Sequence, residues 1–331
     1  MPVNILYQSD NNYASYMGVS ICSLFENNKE ADEITVYIID DDIDADNKEK
    51  LLHMAKGYGR RIEFLTGRVL LDDEDIVKTF EYTSFRKNTH SYFKLFIDRL
   101  IPGLDDRIIY IDCDTVVEGD ISELTRIDME GKPIGMVQDS LVASAKTSVG
   151  IDDSDRYYNS GVILIDLKRW KELDCSGRIY RHIRDVRTYG TVDQDVLNVE
   201  LHDDILTLPV RYNLQPIHMV YDYKTYSRVY RHREPYYTQD EIAGALKDPG
   251  IIHFLRYIGE SPWHKDNVHP ATPYFNRYLK LSPWKDIVRK PSGRGGVFKA
   301  EKMMYKVLPK ALFLRIFYIV HDRMLRKSNK V

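Results

Sequence analysis

Residues 108–120 read IIYIDCDTVVEGD, a run of β-forming residues that ends on two carboxylates separated by one cysteine. Side chains alternate along an extended chain, so Asp112 and Asp114 are expected to project to one side and Cys113 to the other. Two like charges held that close are unfavourable unless a cation lies between them. The local expectation is a divalent-metal or phosphate-metal site at the carboxyl end of a strand. Spacing alone does not single out this pair, because Asp-x-Asp recurs at Asp40/Asp42, Asp42/Asp44, Asp44/Asp46, Asp73/Asp75, Asp153/Asp155 and Asp193/Asp195.

Outward from this stretch, strand-like and helix-like runs alternate. VNILYQ (3–8) precedes a helical segment from Ser15 to Asn27, ITVYIID (34–40) precedes another from Asp44 to Lys56, and RIEFL (61–65) and RIIYID (107–112) follow. PIGMV (133–137), GVILIDL (161–167), ILTLPV (205–210) and IIHF (251–254) continue the series. The pattern predicts an α/β fold, an open and mostly parallel sheet flanked by helices, with ligands gathered at the strand carboxyl ends. The segment KPSGRGGV (290–297) breaks both periodicities. Residues 1–285 are read as one catalytic domain and 286–331 as a basic, amphipathic helical tail. The Tyr- and Arg-rich stretch 217–240 has no clear period and reads as a long, partly ordered excursion.

The chain of 331 residues is long enough for a substantial core. Its three cysteines, Cys22, Cys113 and Cys175, form neither a disulfide framework nor a zinc-type Cys-x-x-Cys pattern, which points to a reducing compartment. MPVNILYQSD enters a strand without a basic and apolar leader, and the apolar run ALFLRIFYIV (311–320) is interrupted by Arg315 and is short of the roughly 20 residues a bilayer crossing needs. Net charge is −3, unevenly spread: from Arg289 onward there are twelve Lys/Arg against Glu301 and Asp322. A basic helix carrying Leu312, Phe313, Ile316, Phe317 and Val320 is expected either to lie on an anionic membrane surface or to pack that face on the body; the charge excess favours the membrane. The expected location is cytoplasmic, peripheral on the cytoplasmic face of the membrane, with no nucleic-acid partner.

Five blocks, in order, carry a resemblance to the retaining glycosyltransferases of family 8, which include glycogenin and bacterial lipopolysaccharide galactosyl- and glucosyltransferases. They are NILYQSDNNYASYMGVSICSL (4–24), SYFKLFIDRLI (91–101), RIIYIDCDTVVEGDISEL (107–124), YYNSGVILIDLKRW (157–170) with TVDQDVLN (191–198), and IIHFLRYIGESPW (251–263). The resemblance implies a GT-A type nucleotide-sugar fold and a transferase that moves glucose or galactose from a UDP-sugar to a hydroxyl of a glycan or lipid-linked glycan.

It also implies roles residue by residue. Asp112, Asp114 and His253 would bind Mn²⁺, with Mg²⁺ possible, since an oxygen-rich set with one imidazole suits these ions better than Zn²⁺. Asp10, Asn12 and Tyr13 match uracil and ribose contacts, and Lys94 the cation that reaches the donor's diphosphate or sugar. Asn159, Ser160 and Gly161 match the segment beside the donor sugar, glycine permitting close backbone approach. Asp139 falls where the sugar or acceptor is positioned. Asp193 and Gln194 match the pair nearest the anomeric carbon. An amide beneath that carbon is a poor nucleophile, which favours front-face internal return over the covalent route by which carboxylates retain configuration; double displacement through Asp193 is the alternative.

One block departs from the family pattern H-x-x-G-x-x-K-P-W. Here it is two residues longer and has Ser261 before Pro262-Trp263, so the phosphate-binding lysine is absent from its usual place and Arg256 or Lys265 are its candidate replacements. Two other classes fit less well. An aspartyl-phosphate phosphohydrolase would carry its nucleophile near the first strand, and a Rossmann dehydrogenase would have G-x-G-x-x-G after it. A catalytically weak UDP-sugar-binding scaffold is the non-enzyme reading, disfavoured by intact Asp112, Asp114, His253 and Gln194.

Overall fold

The computed structural model describes residues 2–67, 70, 89–140, 143–185 and 192–328. Seven strands form the main sheet: β1 (Val3–Asp10), β2 (Ile34–Asp41), β3 (Arg61–Thr66), β4 (Arg107–Ile111), β6 (Ile134–Gln138), β7 (Tyr158–Asp166) and β8 (Ile205–Thr207), in the order β3-β2-β1-β4-β7-β6-β8. Only β7 runs against its neighbours β4 and β6, so the sheet is mostly parallel, as the alternating pattern predicts. The strands read as apolar runs because both faces are covered. Ile109 and Ile111 join the core shared with the helix Ala14–Asn27, while Ile108 and Tyr110 join the one on the opposite face. Asp44 caps the helix Ala45–Gly57 by accepting from the Asn47 N–H.

Two features differ from the expectation. The Asp112–Asp114 segment is not the extended chain that the alternation of its side chains assumes. β4 ends at Ile111, the chain bends through Asp112–Asp114, and β5 (Thr115–Val117) leaves for a second, two-stranded sheet with β9 (Ile251–His253). The stretch 217–240 is mostly ordered, with helices Pro216–Val220 and Tyr223–Tyr230 and, at its end, Thr238, whose capping box starts the helix Gln239–Lys247. Its tyrosines pack: Tyr226 lies against Tyr230 one helical turn on and against Tyr236, which stacks on His232, while Tyr230 meets Tyr318 and the Tyr221 and Tyr257 hydroxyls are hydrogen-bonded at 3.0 Å.

After the irregular segment around 290–296, the helices Val297–Val307 and Lys310–Ser328 lie against this aromatic region. Phe313 and Leu314 are buried with Tyr226, Tyr230 and Tyr257, Ile316 and Phe317 are half-buried, and Leu312 and Val320 face water. Among the described residues no helix is long and apolar enough to cross a membrane.

Candidate active site

β1 and β4 are parallel neighbours with Leu6 opposite Tyr110, so the turn after β1 and the Asp112–Asp114 bend share the carboxyl edge of the sheet. At the bend Cys113 turns inward, its thiol donating to the Gln8 carbonyl at 3.0 Å, and the two carboxylates are left on the other side. The small sheet supplies the third member. Thr115 is paired with His253, and the Phe254 N–H donates to the Asp114 carbonyl at 2.6 Å, which fixes the imidazole over the bend. His253 Nε2 lies 3.2 Å from Asp114 Oδ1 and 3.7 Å from Asp112 Oδ2.

His253 is aimed by residues that the sequence did not single out. Asn213 donates its Nδ2–H to Asn159 Oδ1 at 2.8 Å, so its own Oδ1 is free to accept from His253 Nδ1–H at 3.0 Å. With Nδ1 committed to Asn213, Nε2 is the ring nitrogen that faces the carboxylates. The ring also rests on Gly161, where a Cβ would come within 2.1 Å of Cε1. Gly161 therefore makes room for the histidine, a need for glycine that the sequence reading did not name. Tyr110 is the other addition: its hydroxyl donates to Asp112 Oδ1 at 2.6 Å. In sequence Asn213 is only an amide between Tyr212 and Leu214, and Tyr110 only another β-former.

Lys94 joins this cluster to the helix Val192–Glu200. Its ammonium, buried over the Tyr110 ring at 4.1 Å, lies 2.7 Å from Asp193 Oδ2 and 3.8 Å from Asp112 Oδ1. Asp193 Oδ2 also accepts from the Ser160 hydroxyl at 2.8 Å. In the same first turn, Gln194 Oε1 accepts from the Ser160 N–H at 3.1 Å and from Asn159 Nδ2 at 3.2 Å, while its Nε2 donates to Asp139 Oδ2 at 3.0 Å. Asn159 Nδ2 reaches the same Asp139 oxygen at 2.8 Å. Asp139, Asn159, Ser160, Asp193 and Gln194 are thus one hydrogen-bonded network contiguous with the Asp-Asp-His cluster.

Charge is balanced unevenly across it. Burial raises the Asp112 carboxyl above its usual range despite Lys94 and His253 nearby. Burial acts the same way on Asp114, but the His253 imidazole overrides it and holds that carboxyl low. Burial disfavours the His253 imidazolium and the Lys94 ammonium, yet Asp114 for the one and Asp193 with Asp112 for the other raise both above their ordinary values. Asp139 is raised by burial, which outweighs its two amide donors.

Asp10, Asn12 and Tyr13 lie apart from this network among the described residues. Asp10 accepts from the Tyr13 N–H at 2.9 Å and from Asn12 Nδ2 at 3.0 Å, which is the geometry of a turn after β1. Tyr13 meets Trp263 edge-on, and Trp263 stacks on Tyr16 at 4.2 Å, so the SPW segment closes over this turn. Of the two candidate replacements for the missing lysine, Arg256 is exposed and its charge is felt by Asp114; Lys265 contacts Lys290 through its backbone.

Ligand atoms of Asp112, Asp114 and His253 lie within 4.8 Å of one another. Two carboxylates and an imidazole held by an amide fit a divalent cation of the Mn²⁺ or Mg²⁺ kind.

Comparison with known proteins agrees with this architecture. The chain is 29% identical over 293 residues to General stress protein A of Bacillus subtilis (strain 168), covering 86% of this chain and 96% of that protein. It is 30% identical over 289 residues to a lipopolysaccharide 1,2-glucosyltransferase of Escherichia coli (strain K12), covering 86% and 79%. The fold matches the crystal structure of the galactosyltransferase LgtC in complex with donor and acceptor sugar analogs, with a TM-score of 0.64 at 22% identity over 86% of this chain and 96% of that one. The model of glycosyl transferase family 8 matches residues 4–267, and the chain belongs to that family of glycosyltransferases.

Proposed function

We propose that the protein is a metal-dependent retaining transferase that moves glucose or galactose from a UDP-sugar to a hydroxyl of a glycan or lipid-linked glycan, in the synthesis of bacterial surface polysaccharide or lipopolysaccharide. The observation that carries this reading is the convergence of Asp112, Asp114 and His253 beside the buried Lys94. Similarity to a lipopolysaccharide glucosyltransferase supports the substrate class. Residues 1–285 form the catalytic domain in this reading, and 286–331 a basic tail that holds the enzyme peripherally on the cytoplasmic face of an anionic membrane.

The three ligands would hold Mn²⁺ or Mg²⁺, which when bound neutralises negative charge on the departing diphosphate. Lys94 adds a cation on the sugar side of that diphosphate. Asp10, Asn12 and Tyr13 receive the nucleoside, and Asn159, Ser160, Gly161 and Asp139 line the sugar. Gln194 is held by three hydrogen bonds, so its amide presents a fixed face rather than a nucleophile. The Asp193 carboxylate is occupied by Lys94 and Ser160, which lowers its nucleophilicity. Both points support internal return, in which a diphosphate oxygen takes the proton of the incoming hydroxyl as it attacks the face just vacated.

The test is donor hydrolysis. UDP release from UDP-glucose, UDP-galactose and UDP-N-acetylglucosamine is measured with and without Mn²⁺. Metal-dependent release from one or two donors is expected, and release that survives both Asp112→Ala and Asp114→Ala refutes the assignment.

A further inference from the structure

On the Asp139 side of the molecule, the helices Tyr223–Tyr230 and Lys310–Ser328 enclose a cavity of about 670 Å³. It reaches Ala143, at the start of the short helix that follows Asp139. Its walls are packed. Tyr230 meets Tyr318 edge-on at 5.2 Å, and behind them Phe313 and Leu314 are buried.

The lining combines two chemistries. Arg228, Arg231, Arg233 and Arg315 contribute positive charge against Asp153 and Asp322. Arg233 is paired with Asp153 at 3.1 Å, whereas Arg228, Arg231 and Arg315 have no carboxylate partner among the described residues. Arg231 ends its helix in the left-handed conformation, φ 51°, and its Nε donates to the Arg228 backbone carbonyl at 3.3 Å, which holds the Arg231 side chain against the last turn of the helix. Beside the uncompensated guanidinium groups stand Leu312 and Ile319, 47% and 42% exposed.

We propose that this cavity binds a phosphate-bearing amphiphile, its phosphate on Arg228, Arg231 and Arg315 and its hydrocarbon on Leu312 and Ile319. Guanidinium forks match phosphate oxygens bidentately. With Asp153 and Asp322 set against the four arginines the lining carries a net charge of +2, which a phosphate monoester or pyrophosphate matches and a single carboxylate does not. Neither half of the lining explains the other: a free anion leaves the apolar side chains in water, and a neutral lipid leaves the arginines unpaired. The proposal concerns binding alone and does not depend on the donor site.

The experiment uses the full chain. Decyl phosphate and inorganic phosphate are titrated by calorimetry, and cosedimentation is measured with phosphatidylcholine vesicles with and without phosphatidic acid. The pocket variant is Arg228→Gln with Arg315→Gln; a charge-matched control is Lys56→Gln with Lys247→Gln, on the helices Ala45–Gly57 and Gln239–Lys247, outside both the cavity and the basic tail. All four side chains are exposed, so both variants keep the fold, which circular dichroism checks. Decyl phosphate is expected to bind more tightly than inorganic phosphate and to weaken about tenfold or more in the pocket variant, with the control close to wild type. Leu312→Ser should weaken decyl phosphate and leave inorganic phosphate unchanged. Loss of phosphatidic-acid vesicle binding in the pocket variant assigns the ligand to a lipid headgroup, and tight decyl phosphate binding without vesicle preference assigns it to a soluble phosphorylated molecule. Equal losses in pocket and control variants, or equal affinity for the two phosphates, overturn the proposal.

Discussion

Gly161→Ala tests whether packing on β7 holds His253 where the proposed metal site requires it. Alanine suits the strand backbone there, so any effect comes from the added methyl group. That Cβ meets His253 Cε1 at 2.1 Å and Nδ1 at 2.5 Å, and reaching the 3.4 Å of ordinary contact requires a shift of about 1.3 Å. A shift of Gly161 itself is opposed by its carbonyl, which accepts from the Asp112 N–H at 2.8 Å and so ties it to the carboxylate bend. The ring must move, and it loses its bond to Asn213 as it does. Ligand distances in metal sites tolerate about 0.2 Å, so the displaced imidazole leaves the ligand set. Mn²⁺ affinity should fall by at least the ~10–100-fold that follows loss of a ligand's support, and overpacking should cost roughly 1–3 kcal/mol of stability. Free Mn²⁺ is followed by electron paramagnetic resonance during titration in the presence of UDP, with urea unfolding in parallel. A folded variant whose Mn²⁺ affinity stays within about twofold of wild type refutes the reasoning.

Lys94→Met should remove the cation shared by Asp193 and Asp112 and destabilise the metal-free protein by about 3 kcal/mol, the low end for a broken buried pair because these carboxylates are partly accessible. Added Mn²⁺ should narrow that gap in urea melts; equal stability of the two proteins without metal contradicts the pairing. Acid should also destabilise the fold. Burial pushes His218 down to about 3 and His269 down to about 4, from 6.5, so their stabilising effect is complete above pH 6.5 and is lost as pH falls through these values. Glu234, opposed by burial but held at about 2 by His232 and Lys146, adds a loss below its ordinary 4.5. His253 is raised and acts in the opposite direction, so the informative quantity is a difference. His218→Gln should flatten the dependence of urea midpoints between pH 6.5 and 4 by up to about 1.4 kcal/mol per pH unit, and an unchanged slope counts against a buried neutral imidazole. Phe313→Ala should cost about 3 kcal/mol if the last helix is part of the packed body, and faster proteolysis of that helix reports it; an unaltered digestion pattern contradicts the docking.

Much of the framework was legible because its causes are local. Strands buried on both faces have to be apolar runs, and the helix expected from Asp44 to Lys56 runs over Ala45–Gly57. The Asp112/Asp114 pair was legible for the same reason, since two charges at the end of an apolar strand are conspicuous. The bend that presents them was not, because β5 continues the β-forming run without a break in composition. Nor was the order in 217–240, where Tyr221 bonds Tyr257 and Tyr230 packs on Tyr318, partners that no local pattern announces.

By itself, the sequence determined the α/β framework and the two carboxylates at the carboxyl end of β4. Only tertiary structure decided how His253, 139 residues from Asp114, is aimed at them, and that Asn213 and Gly161 set its ring. The physical reason is length: β5 and β9 have three residues each, too few to carry a periodic signal, and they exist only because distant parts of the chain pair. Local patterns record what a residue needs from its neighbours in sequence, whereas a ligand cluster is built from side chains that meet only after the sheet has formed.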